Sequence, residues 1–238
     1  MRQYGSWNAT GAVCLPPLDA LTPPSFNPLD FRFESMLDIE RRLWNDGYEH
    51  VAGLDEAGRG CLAGPVVAAA VVLPVGADIP AIQDSKSISE AKRLDAREQI
   101  EARSVTWAVA RCSPAEIDEI NILQAALQAM RRAAADLDPD PDYLLVDGNQ
   151  WNRSLSEAPW PAETVVKGDA TSQSIAAASI IAKTERDALM RRLAEEHPCY
   201  GWDSNVGYPT QQHYDAIREH GVTDWHRRSF KLHRSSSG

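Results

Sequence analysis

Three times along this chain a short apolar run with the character of a buried strand leads to a carboxylate. Residues 51–54 run straight into Asp55 and Glu56. Residues 143–146 end on Asp147. Residues 164–166 reach Asp169 through Lys167 and Gly168. In α/β folds the chemistry gathers where strands end, so the pattern constrains both the architecture and the place to look for a site. Between the runs lie a further β-branched stretch at 66–73 and another at 105–110. Helical periodicity marks residues 114–136, where Ile117, Ile120, Leu123, Leu127 and Met130 recur at three- and four-residue steps. Ser89 opens a helix to about residue 102, and residues 171–196 form a long helix. Its Ala176, Ala177, Ala178 and Ser179 are small enough to let it lie close against a sheet. The order β-β-α-β-α-β-β-α predicts an α/β fold: a mixed central sheet flanked by helices, with a helical C-terminal part.

Each acid has a bland role open to it. Asp55 and Glu56 suit a solvated turn, and Asp147, followed by Gly148 and Asn149, suits a turn former. Asp169 stands where the long helix needs an N-cap. Neighbouring strand residues point to opposite faces, so Asp55 and Glu56 meet one ion only if the strand ends or bulges there. Gly58 and Gly60 supply freedom for such a turn and let a nucleic-acid backbone come close. Taken together, four hard oxygen donors at three strand ends suit Mg²⁺ or Mn²⁺ rather than zinc, with substrate phosphates completing the shell. That is the composition expected for two-metal phosphodiester cleavage.

Composition narrows the classes. No apolar run in the 238 residues approaches the roughly 20 needed to span a bilayer, and the N-terminus lacks a basic region followed by an apolar core. Cys14, Cys61, Cys112 and Cys199 are scattered with no CxxC pair, which argues against a zinc site or disulfide framework and for reduced thiols in a cytoplasmic protein. The net charge of −10 gives no basic footprint overall. Locally, however, residues 226–234 carry Arg227, Arg228, Lys231 and Arg234 with no acid, which reads either as a solvated tail or as a stretch tracking phosphates. Residues 1–47 form a Pro-rich lead, with 1–28 extended and 30–46 able to form one helix through Phe31, Met36, Leu37 and Leu43. The main domain is expected over 48–231, with a flexible tail at 232–238.

At this point the motifs resemble those of the type 2 ribonuclease H family. Asp55-Glu56-Ala57-Gly58-Arg59-Gly60 with Gly64-Pro65-Val66 is similar to that family's opening signature. There follow, in the family's order, Asp84-Ser85-Lys86, Asn121-Ile122-Leu123, Asp147-Gly148-Asn149, Lys167-Gly168-Asp169 and the run Ser174 to Lys183. Arg186-Asp187, Gly207-Tyr208-Pro209-Thr210, His213, His226-Arg227 and Ser229-Phe230 complete the set. The resemblance covers about residues 48–231. Cys61 stands where many relatives carry proline, which implies a slightly different local turn.

The resemblance implies an RNase H-like fold and an endonuclease that hydrolyses the RNA strand of RNA–DNA hybrids. It also implies cutting 5′ of ribonucleotides embedded in DNA, leaving 3′-hydroxyl and 5′-phosphate ends, as in ribonucleotide excision repair. It makes Asp55, Glu56, Asp147 and Asp169 the metal-binding catalytic carboxylates. Gly58, Arg59, Gly60 and Tyr208 become the elements that recognise the ribonucleotide, and Lys86 and Lys183 phosphate contacts or supports. The expected partner is nucleic acid, with no membrane, and the expected state a monomer. The sister type 3 family departs from the Asp-Glu-Ala-Gly-Arg-Gly pattern and carries a separate N-terminal substrate-binding domain, for which a 47-residue lead is too short and irregular. Asp187 is expected to pair with Arg186 or Arg191. His213 and His226 read as proton shuttles, phosphate contacts or packed histidines. Trp151, Trp160 and Trp202 read as base-stacking platforms or core.

Overall fold

A computed structural model of the protein describes residues 35–82, 89–151 and 159–233. The Pro-rich stretch 1–28, Phe31, the Asp84-Ser85-Lys86 motif with its proposed phosphate contact Lys86, and residues 234–238 lie outside the described residues.

Five strands form one mixed sheet in the order β3-β2-β1-β4-β5. They are β1 (Val51–Ala57), β2 (Val66–Val72), β3 (Thr106–Cys112), β4 (Tyr143–Asp147) and β5 (Ala162–Val165). The first three pair antiparallel, while β4 runs parallel to β1 and β5 parallel to β4. The central strand therefore carries the first two acids, and its parallel neighbour carries the third. β5 lies one to two residues earlier than its apolar run suggested, and Val166 falls outside it at 66% exposure.

Side-chain alternation divides the sheet's two faces. Ala52, Leu54, Ala68, Ala70, Leu144 and Val146 pack against α3 (Pro114–Ile120) and α4 (Ile122–Ala135). Ala57, Ala69 and Val71 pack against α5 (Gln173–Glu196) and α2 (Glu90–Arg103). Most of the driving force for this sandwich is burial of apolar surface at about 25 cal/mol per Å². The expected single helix at 114–136 is two helices. Asn121 takes φ 67°, breaks the run, and accepts from the amides of Leu123 and Gln124 to start α4. Ser89 caps α2 as its position predicts.

The small residues of α5 bring the helix very close to β1. A Cβ built on Gly53 would lie 2.1 Å from the Ser174 carbonyl carbon. A short helix, α1 (Asp38–Asn45), docks at the same end. Its Ile39 and Leu43 pack with Val51, Leu145 and Ile175. Its buried Glu40 accepts from Ser172 Oγ at 2.6 Å, Ser174 N at 2.9 Å and Ser174 Oγ at 2.7 Å. The helical C-terminal part comprises α6 (Trp202–Asn205) and α7 (Gln211–His220). It packs on Leu62, Ala63 and Met190 through Trp202, Val206 and Ile217. Two main-chain bonds, Leu62 N to Gly207 O and Arg227 N to Leu62 O, fasten it to the loop after β1. Among the described residues no helix is long and apolar enough to cross a membrane.

Candidate active site

β1 does not end before its acids. It pairs with β2 through Asp55–Ala69 and Glu56–Ala68 and stops at Ala57. Alternation therefore sends Asp55 toward α5, where its carboxylate accepts a hydrogen bond from Ser179. Glu56 leaves on the other side, one residue from the strand end, and still reaches the rim of a cavity lined with Ser179 and Lys183 of α5. The strand ends one residue after the pair, at Ala57, and Glu56 lines the cavity from there.

Register carries the third acid to the first. Leu54 pairs with Val146, so Asp55 and Asp147 are the next residues on neighbouring parallel strands. The fourth joins through a turn. Lys167 adopts the left-handed conformation (φ 58°) and leads into a 3-10 turn at Gly168–Ala170. There the amide of Gly168 donates to Asp147 Oδ1 at 2.8 Å, and the Asp169 amide donates to the same carboxylate. α5 is capped by Ser172, whose hydroxyl accepts from Ile175 N. The capping role open to Asp169 in the sequence thus belongs to another residue.

The four carboxylates feel one another. Burial pushes the Asp55 carboxyl well above the usual range, and the charges of Glu56 and Asp147 add to it. Burial also raises Glu56, against the pull of Arg59, whose Nη1 lies 2.9 Å from its carboxylate. Asp147 is raised by burial, with the charge of Asp169 adding to it. Buried like charges of this kind are what a bound cation relieves. The donor set is all oxygen, which suits Mg²⁺ or Mn²⁺. Among the described residues no three acid, histidine or cysteine side chains are grouped closely enough to cage an ion. Mg²⁺ is commonly bound through one or two carboxylates, with water and substrate phosphate oxygens completing the shell.

The residues nominated for ribonucleotide recognition share this cavity. Glu56 and Asp169 line it with Gly58, Arg59, Gly60, Lys183 and Tyr208. Asp147 faces an adjoining depression with Gly148, Asn149, Leu123 and Leu127, and Arg59 borders both. Lys183 Nζ lies 2.6 Å from Asp187. That corrects the expected partners of Asp187, because Arg186 is committed to main-chain carbonyls and Arg191 pairs with Glu90. Gly58 has φ +94°, and a Cβ there would lie 1.9 Å from Arg186 Nε. Its glycine is required by the protein's own packing. At Gly60 a Cβ would meet nothing within 4 Å, so that position opens toward the cavity. Cys61 N reaches Gly58 O at 3.4 Å, a contact that proline could not make.

Tyr208 is held from behind. Its carbonyl faces His213 Nδ1 at 3.0 Å. A carbonyl only accepts, so the proton sits on Nδ1 and His213 Nε2 is an acceptor. It takes hydrogen bonds from Trp202 Nε1 at 3.0 Å and from His226 Nε2 at 3.2 Å. His226 Nδ1 accepts in turn from Thr223 N at 3.0 Å. Both histidines are buried and act as packed, neutral links, neither shuttles nor phosphate contacts. Trp202 is core, and Trp151 and Trp160 pack against the α4 face. The stretch 226–234 is likewise no solvated tail at its start, since Arg227 is fully buried.

Burial, reinforced by His213 and His197, pushes the His226 imidazole down to about 4. An unfolded histidine titrates near 6.5, so the folded form resists protonation. The associated stability is present above about pH 6.5 and is lost as the pH falls toward 4, by on the order of 3 kcal/mol. Melting curves from pH 7 to pH 4 should show a steeper loss for the parent than for His226→Gln. Parallel losses would mean that the pair does not set the acid limit.

Sequence inspection missed three residues. Ser179 reads as a small spacer and Arg227 as part of a basic tail, while Glu40 carries no reading at all. Only the order of the motifs signalled the first two, and nothing in the sequence signals Glu40.

A family model described as Ribonuclease HII matches residues 52–233. A ribonuclease HII from Salinibacter ruber is 72% identical over 199 residues, covering 84% of this chain and all of that protein. The solved ribonuclease HII of Archaeoglobus fulgidus, in a complex with PCNA, superposes with a TM-score of 0.64 at 27% identity, covering 79% of this chain and 98% of that one. The fold is also shared with Bst-RNase HIII, solved in complex with Mn²⁺, at a TM-score of 0.62 and 19% identity, covering 78% of this chain and 68% of that one.

Proposed function

The chain belongs to the ribonuclease HII family, and from that premise we propose that it also cuts 5′ of single ribonucleotides embedded in duplex DNA, leaving 3′-hydroxyl and 5′-phosphate ends. Endonucleolytic hydrolysis of RNA in RNA–DNA hybrids is the activity of the family. The observation that carries the finer reading is one cavity. Glu56 and Asp169 line it together with Gly58, Arg59, Gly60 and Tyr208, so the carboxylates stand beside a loop and a ring suited to sensing a sugar.

Asp55, Glu56, Asp147 and Asp169 would hold two divalent ions, Mg²⁺ or Mn²⁺. Bound ions supply Lewis-acid activation of water and neutralise charge at the departing 3′ oxygen. The protein's own groups do the positioning. Arg59 steers Glu56 through their ion pair, Ser179 orients Asp55, and the Gly168 amide fixes Asp147. Lys183, tethered by Asp187, offers positive charge to a phosphate at the cavity wall. The direct test is a labelled duplex with one ribonucleotide, incubated with and without Mg²⁺ or Mn²⁺, with end-mapping of the products. Cleavage 3′ of the ribonucleotide, or none on this duplex while the continuous hybrid is cut, would refute the proposal.

The 2′-hydroxyl distinguishes RNA from DNA and both donates and accepts. Tyr208, 40% exposed, offers a flat ring to the sugar and a hydroxyl for polar contact. Tyr208→Ala should lower kcat/KM on the single-ribonucleotide duplex by about tenfold or more, the worth of a lost polar and packing contact. Tyr208→Phe should be milder. Melting temperature serves as the control, and parent-like cleavage by Tyr208→Ala would remove Tyr208 from the sensor.

A further inference from the structure

Two buried arginines donate hydrogen bonds to main-chain carbonyls. Arg227 donates from Nε to Gly64 O at 3.0 Å, from Nη1 to Arg59 O at 2.9 Å and from Nη2 to Gly58 O at 2.7 Å. Arg186 donates from Nε to Pro65 O at 3.2 Å, from Nη1 to Val206 O at 2.8 Å and from Nη2 to Ala63 O at 3.0 Å. Their exposures are 0% and 1%. Burying a cation is costly unless its donors are satisfied. Here each rigid guanidinium fork is satisfied by carbonyls of the loop after β1, and one bond reaches Val206, two residues before Tyr208.

The consequence is geometric. Among the described residues the cis peptide is Asp138–Pro139, so the Gly58–Arg59 and Arg59–Gly60 peptides are trans. In a trans peptide the carbonyl and the following N–H point in opposite directions. Arg227 draws the Gly58 and Arg59 carbonyls inward. The N–H groups of Arg59 and Gly60 must then face outward, on the exposed side where both residues line the cavity.

We infer that Arg227 is a positioning residue for substrate selection: its fork turns the consecutive amides of Arg59 and Gly60 toward the ribose 2′-hydroxyl oxygen, while Arg186 locks the Tyr208 turn to the same loop. This rests on the reading of that loop as the ribonucleotide sensor. Lysine keeps the charge but lacks the fork and cannot hold two adjacent carbonyls in one plane.

Two measurements on the full chain test it. The first compares parent, Arg227→Lys and Tyr208→Ala on the single-ribonucleotide duplex. Arg227→Lys should lose about tenfold or more in kcat, the worth of one charge-assisted hydrogen bond. Its KM should change little, since phosphate contacts elsewhere hold the duplex. A folded Arg227→Lys with parent kcat overturns the inference, and a parent-like Tyr208→Ala counts against the sensor reading instead. The second measurement needs no variant and stands even if Arg227→Lys fails to fold. Amide exchange and chemical shifts of Arg59 and Gly60 are followed in the parent without divalent metal, free and with the duplex. Fast exchange in the free protein, with shift and protection on the single-ribonucleotide duplex but not on all-DNA duplex, supports the inference. Protection already in the free protein, or no response to either duplex, overturns it. An equal response to both duplexes means that the amides meet phosphate: the outward orientation then stands and the sensor reading fails.

Discussion

Asp147→Asn is expected to lower hybrid cleavage by at least about 10³-fold at saturating Mg²⁺ while the protein remains folded, since a charge aimed at the reaction is worth that much or more in a dry site. The substitution is nearly isosteric. The asparagine carbonyl can still accept from the Gly168 amide, which now bonds the carboxylate at 2.8 Å, so the turn presenting Asp169 should hold. Stability should not fall. The Asp147 carboxyl is disfavoured as an anion by burial and by the charge of Asp169, and a neutral amide escapes both. The melting temperature should be unchanged or slightly higher, and duplex binding should survive in part through Arg59 and Lys183. Near-parent turnover would exclude Asp147 from the site. A large drop in melting temperature would show that its role is structural.

Gly53→Ala is expected to be the most damaging methyl group that can be added to the sheet. The new carbon would lie 2.1 Å from Ser174 C, 2.3 Å from Ile175 N and 2.4 Å from Ser174 O. These are backbone atoms at the start of a helix, and no rotamer change can clear them. β1 and α5 would have to separate, breaking the contact that sets Asp55 against Ser179. Overpacking of this kind costs about 3 kcal/mol or more, which for a domain of this size is a fall of roughly 10 °C in melting temperature. Gly60→Ala is the internal control, because its added carbon meets nothing within 4 Å and its melting temperature should stay near the parent's. Equal melting temperatures for Gly53→Ala and the parent would contradict the close β1–α5 contact.

The local pattern of the chain determined a good deal. The alternation and the acids at strand ends are short-range properties, and they placed β1, β2, β3 and β4, the cap at Ser89, and the long helix within a few residues. The motif order identified the family, because many short matches in sequence are specific where each alone is weak. What only the tertiary structure decided is where side chains of ambiguous chemistry point. Arg227 looks like part of a basic tail until it reaches Gly64, 163 positions earlier in the chain. Asp187 has three cations within helical reach, and the packing of α5 leaves it with Lys183 because Arg186 is turned toward carbonyls of the loop after β1. The role of Asp169 as a cap was open until the 3-10 turn moved the helix start to Ser172. The direction of Glu56 depended on where β1 stopped, one residue beyond the pair. The common cause is that backbone periodicity is dictated by neighbours in sequence. The partner of a charged or polar side chain is set by whichever donors and acceptors the folded chain brings within about 3 Å, and those come from segments that no local window contains.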